Sequence, residues 1–141
     1  MIISLSGCVV AIGNGSKHEK HDRHEPPRPV VYVPAGTQDS VAIAEIDAAA
    51  SLGVEGARME ALGRVASRPD LSPATTQVHL VNTALSRLDL ESNRLGLILT
   101  LIANPAFDGV TAEAIYRQID RFALESSKQQ VIGALQSRPR H

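Results

Sequence analysis

A single cysteine, Cys8, and no tryptophan occur in a chain of 141 residues. One thiol can neither close an intramolecular disulfide nor build a cysteine-based zinc site, so neither staples this chain. Aromatic residues make up only 3% of a chain that is 43% hydrophobic. Its core must therefore come from Leu, Ile, Val and Ala, and an aliphatic core of that kind suits helix-on-helix packing. An excess of one charge is also missing: 14 Lys plus Arg oppose 15 Asp plus Glu, a net charge of −1. That balance lacks the basic footprint of a dedicated nucleic-acid binder, so no nucleic-acid partner is expected. No run of ~18 or more apolar residues exists to form a conventional transmembrane helix. Gly13-Asn14-Gly15 is too short for a phosphate-cradling loop, and the motifs of hydrolases, metalloenzymes and nucleotide binders are missing. No enzyme activity and no cofactor are expected.

The cysteine stands in an informative place. Met1-Ile-Ile-Ser-Leu-Ser-Gly-Cys8 is apolar and small, and Leu5-Ser6-Gly7-Cys8 resembles the lipobox of bacterial lipoproteins, in which the cysteine is lipidated and becomes the mature N-terminus. Small residues before it suit close access by a processing peptidase. A secretory signal also needs a basic segment and an apolar stretch of roughly 7 to 15 residues, and only seven residues, none basic, precede Cys8. Residues 1–8 are therefore expected to be the end of a longer leader whose start lies upstream. The alternative is a buried cysteine in a short apolar strand or a frayed terminus. Val9 and Val10 follow with no Asp beside them, a pattern that accompanies outer-membrane sorting in similar lipoproteins. The several acyl chains of a lipoprotein cysteine would anchor it stably, whereas one chain binds only marginally.

Residues 9–40 read as a disordered polar linker rich in Gly, Pro and alternating charge. Pro26, Pro27, Pro29 and Pro34 favour extended geometry, which would hold a folded part away from an anchoring surface. Val30 to Val33 are the apolar exception, either a short docked strand or a cover for the start of the domain. His18, His21 and His24 recur at every third residue, which sets their imidazoles on one side of a chain with three residues per turn. Imidazole ligates zinc, copper and nickel, so the tract is a candidate weak metal site. Its alternative is a solvated, charge-balanced spacer, because a flexible tract loses conformational entropy on closing a site.

Beyond residue 40 the chain repeats itself. Leu52-Gly-Val-Glu-Gly-Ala-Arg58, Leu88-Asp-Leu-Glu-Ser-Asn-Arg94 and Phe122-Ala-Leu-Glu-Ser-Ser-Lys128 each run on, through an equal number of residues, to a proline at 69, 105 and 139. Self-similarity at a fixed period means one supersecondary unit used repeatedly. Each copy reads as an apolar helix, a break, and a second helix that stops before proline, because the residue before proline disfavours helical geometry. Val78, Val81, Leu85 and Leu88 mark one buried face; Leu95, Ile98, Leu99 and Ile102 mark another. Ile115, Ile119 and Phe122, then Val131, Ile132 and Leu135, repeat the scheme. Ser72-Pro73 reads as an N-cap followed by proline at the first helical position, and Ser92 and Ser126 as N-caps of second helices, with Gly56 in the serine position of the first copy. With Gly53, Gly56 and Gly63, that first copy is the most diverged, as terminal capping units often are.

Charges recur with the helices. Glu55/Arg58, Glu91/Arg94 and Glu125/Lys128 sit three apart, a spacing that predicts local ion pairs at helix starts and favourable helix-dipole interactions. Arg87 and Arg121, just before the break, are expected to cap the preceding helix C-terminus. His79, the one histidine inside the helical region, is expected on the surface or lining a groove.

Leu71-Ser-Pro-Ala-Thr-Thr-Gln77-Val78, Leu88-Asp-Leu-Glu-Ser-Asn-Arg94-Leu95 and Phe122-Ala-Leu-Glu-Ser-Ser-Lys128 resemble a family of repeated helical domains of no assigned activity. Its signature runs approximately Leu-Thr-x-x-Gln-Val, Phe-Asp-Ser-Asp-Lys/Arg-Leu and Phe-Ser-Phe-Ser-Ser-Ser-Lys. The resemblance spans residues 43 to 137, with Leu88 in place of the usual aromatic, Glu91 in place of aspartate and Tyr116 alone from a tyrosine-rich stretch. It implies a helical fold behind secreted or lipidated leaders and supplies no functional residues. The expected protein is all-α, with three degenerate helix-turn-helix repeats (five or six helices) over residues 41–139 packed as a small bundle or short solenoid. Its expected role is that of a non-catalytic interaction or scaffold module for a protein partner, held by lipid on Cys8 in the bacterial envelope, with weak metal binding through the histidine tract as the alternative.

Overall fold

The computed structural model describes the backbone of residues 35–139 and the side chains from Asp39 onward. Six α-helices follow one another: α1 (Ala35–Ala50), α2 (Glu55–Ala66), α3 (Ala74–Arg87), α4 (Glu91–Ala103), α5 (Gly109–Arg117) and α6 (Glu125–Gln136), with a 3-10 turn at Ile119–Arg121. No strand occurs among the described residues. The fold is all-α, three helix pairs in sequence. Part of the stretch that composition assigns to the linker is helical, since α1 already begins at Ala35.

The pairing of helices makes two rows. Helix α1 packs on α3 and α3 on α5, while α2 packs on α4 and α4 on α6, so each unit touches chiefly the next. One continuous aliphatic core runs through all three units, from Ile46 and Leu62 through Leu80, Leu85, Leu88 and Ile98 to Ile115, Phe122 and Val131. Phe122 is the sole aromatic residue buried in it. On α4 the buried stripe is Leu97, Ile98, Leu101 and Ile102; Leu95 and Leu99 are only half-buried, as is Val78 on α3. The apolar face of α4 is thus rotated slightly from the one read off the sequence, because α4 lies between two helices and buries adjacent positions against both.

The helix boundaries correct the capping residues. Leu90 and Leu124, not Ser92 and Ser126, occupy the N-cap positions of α4 and α6, and neither makes a side-chain cap. Helix α3 starts at Ala74, so Pro73 is itself the N-cap and Ser72 lies outside the helix. Among α2 to α6 only α5 is capped by a side chain, Asp108 accepting the Thr111 N–H at 2.8 Å. Helices α4 and α6 are held at their starts by the preceding unit instead.

Candidate functional site

The joints between units explain the repeated charges. Glu55 at the start of α2 does not pair with Arg58. Its carboxylate accepts the peptide N–H groups of Asp89 at 3.1 Å and Leu90 at 2.7 Å, together with Asn93 Nδ2 at 2.9 Å, all in the next unit. Glu91 repeats the arrangement one unit on, accepting from Ala123 N–H at 3.2 Å and Leu124 N–H at 3.1 Å. Each carboxylate therefore rests at the N-terminus of the following second helix, where the helix dipole favours negative charge. The Leu90 N–H is the main cause that holds Glu55 below its ordinary pKa. For Glu91 partial burial pushes upward, but donation from Leu124 and Ala123 outweighs it and the net direction is also down.

The cations bridge the same joints. Arg58 Nε donates to Leu52 O in its own break at 3.0 Å, and its Nη1 donates to Arg87 O in the next unit. Arg94 donates from Nε to Leu88 O at 2.6 Å and from Nη1 to Arg121 O at 3.5 Å. Arg87 and Arg121 thus take part through their backbone carbonyls; among the described residues no hydrogen bond joins their side chains to a helix C-terminus. The expected i,i+3 ion pairs are replaced by a fork from each arginine across the break, which only the planar guanidinium can make. A minor local attraction survives between Glu91 and Arg94. In the third unit Lys128 Nζ instead reaches Asp120 Oδ1 at 3.3 Å.

A second set of contacts runs the opposite way at the far ends of α2 and α4. Asn104, before Pro105, donates through Nδ2 to Ala66 O at 2.7 Å and Arg68 O at 2.6 Å. Arg138, before Pro139, donates to Ile102 O and, at 2.7 Å, to Asn104 O, the equivalent carbonyls one unit later. The last carbonyls of a helix have no partner inside it, so a donor from the next unit satisfies them. Arg68, in the first unit described, pairs with Glu45 of α1.

Several surfaces are open among the described residues. The N-cap residues of the second helices, Val54, Leu90 and Leu124, are exposed to 70%, 58% and 55%, one aliphatic side chain per unit at the same repeat position. A cleft of about 420 Å³ between α1 and α3 is lined by Asp47, His79, Asn82 and Arg87 among others, and His79 Nε2 lies 2.7 Å from Asp47 Oδ1. His79 lines a groove, as expected, and joins the first two units. A groove of about 560 Å³ opens at the outer face of the last unit, between Phe107, Ala112 and Tyr116 on one side and Leu135, Gln136 and Arg138 on the other. Among the described residues no three His, Cys, Asp or Glu side chains gather as a metal site. Cys8, His18, His21 and His24 lie outside the described residues.

The aliphatic row was readable in principle, since an apolar residue precedes the glutamate of every copy inside a break that is otherwise free to be polar. No family model matches the chain, and neither the curated proteins nor the solved structures contain a match.

Proposed function

We propose that the stacked helix pairs form a non-catalytic interaction module that binds a protein partner through the row Val54, Leu90 and Leu124. The observation that carries this reading is the repetition itself. Exposed aliphatic residues scattered singly are ordinary, whereas three at one repeat position make a regular apolar strip on a surface that costs free energy to leave wet. The strip fits a partner segment that presents its own aliphatic side chains, with the exposed Asp89 beside it to contribute to a polar rim.

Cys8 extends the reading to location. In a lipoprotein of the bacterial envelope, facing the periplasm from the outer membrane, the acylated cysteine supplies the anchor and the residues between it and α1 the tether. No described helix is long and apolar enough to cross a membrane.

The test uses the full chain and a Val54→Ser/Leu90→Ser/Leu124→Ser variant as baits for envelope extract, with circular dichroism to establish equal helicity. One protein captured by the parent and released by the variant supports the strip. Equal capture by both, or none by either, overturns it. Mass spectrometry of chain recovered from the envelope reads the anchor: an acylated Cys8 at the N-terminus is expected, and a free thiol there refutes it.

A further inference from the structure

The two ends of the stack carry the halves of a joint that the molecule has already made twice. At the outer face of the third unit, Glu125 stands where Glu55 and Glu91 stand, but its carboxylate is exposed and has no partner among the described residues. At the outer face of the first unit, the peptide N–H groups of Gly53 and Val54 stand where those of Asp89 with Leu90, and Ala123 with Leu124, donate to the preceding glutamate; no acceptor meets them among the described residues.

The apolar positions agree. Leu62 and Ile98 lie on helices that pack on the second helix of the next unit and are fully buried, and the equivalent Ile132 is only half-buried. Val65 and Leu101 are buried, and the equivalent Leu135 lines the open groove. Tyr116 is 43% exposed in the same groove. At the other end a small apolar hollow of about 280 Å³ lies between α1 and α2, lined by Ala48, Ala49, Leu52 and Ala61 and flanked by Glu45 and Arg64.

From these complementary ends we infer that a second copy of this chain docks head to tail, the third unit of one copy on the first unit of the next. Glu125 of one copy accepts the Gly53 and Val54 N–H groups of the other, as Glu91 accepts those of Ala123 and Leu124 within a single chain. Tyr116, Ile132 and Leu135 then gain the cover that their counterparts in earlier units have. Such a contact is heterologous, so with rising concentration it grows into an open stack, or closes into a ring, rather than stopping at a two-fold pair. It shares no required residue with the partner strip except Val54, and it is read from purified protein alone, so either idea can fail without the other.

Sedimentation velocity of the full chain over rising concentration provides the test. The parent is expected to progress from a 15.0 kDa monomer through successively larger species. Glu125→Ala removes the acceptor, and Val54→Asp places a carboxylate where Glu125 must dock while keeping a residue well suited to an N-cap. Each change is expected to weaken self-association by about tenfold or more, the scale of a charge-assisted hydrogen bond. Mixed together, the two variants still offer one intact joint, so the mixture is expected to form a dimer and stop there. A parent that stays monomeric, variants that associate as well as the parent, or a mixture that stays monomeric would each overturn head-to-tail docking. Glu125→Ser, whose short hydroxyl cannot span the joint and which suits a helix start, serves should Glu125→Ala lose helicity.

Discussion

The carboxylate of Glu55 accepts the peptide N–H of Leu90 at 2.7 Å, across 35 residues of sequence and from one helical unit to the next. Glu91 and Leu124 repeat the relationship at 3.1 Å. A side chain that opens one helix thereby fixes the start of the second helix after it, and two such joints set how three units stack.

Acid should loosen these joints first. Glu55 and Glu91 both titrate below the ordinary glutamate range in the folded chain, and unfolding returns them to about 4.3. Between the two values the unfolded chain binds more protons, so stability rises with pH across that window. The contribution is complete above about pH 4.3 and is lost as the pH falls through the folded-state values. Thermal unfolding followed by circular dichroism should show the midpoint falling with acidification in that range. A Glu55→Gln/Glu91→Gln double variant should fall less steeply; an unchanged slope rules out this role for the carboxylates.

Gln77 is the buried counterpart of these surface joints. Its Nε2 donates to Leu71 O at 2.6 Å and to Ala106 O at 2.7 Å, while its Oε1 accepts from Thr111 Oγ1 at 2.9 Å, so one amide ties the second unit to the third. Replacement by alanine strands two carbonyls and a hydroxyl away from water. Gln77→Ala is expected to cost about 3 kcal/mol in urea unfolding, because each unsatisfied buried group costs about 1–3 kcal/mol. A loss under about 0.5 kcal/mol would place Gln77 among ordinary surface positions and refute the tie.

The open end of the stack predicts an asymmetry between equivalent isoleucines. Ile98 lies on α4, which has neighbours on both sides, α2 and α6, and is completely buried. Ile132 has no following helix and remains half-exposed. In dilute solution Ile98→Ala should cost about 2–5 kcal/mol, the usual range for emptying a core site, and Ile132→Ala about 1 kcal/mol. Equal costs would mean that something already covers the outer face of α6 in the single chain.

The repeat, the helices and their breaks were legible in the sequence because each rests on local chemistry. Apolar residues at three- and four-residue steps need one buried face, and Pro69, Pro105 and Pro139 end helices through their own ring geometry. The same local logic led astray at the corners. Glu91 and Arg94 lie one helical turn apart and read as a pair, and Ser92 reads as a cap, because sequence spacing measures only what is close along the chain. Which neighbour the carboxylate chooses depends on the unit that arrives 30 or so residues later, within ordinary repeat periods.

Composition and periodicity by themselves determined an all-α chain with an aliphatic core and three copies of one unit, since those features follow from burial and backbone sterics residue by residue. Only the tertiary structure decided that the repeated glutamates and arginines are joints, that the aliphatic residues before the glutamates form an exposed row, and that the two ends of the stack are complementary. Stacking brings an acceptor and the peptide N–H groups of another unit into contact, and no local rule assigns partners at that distance.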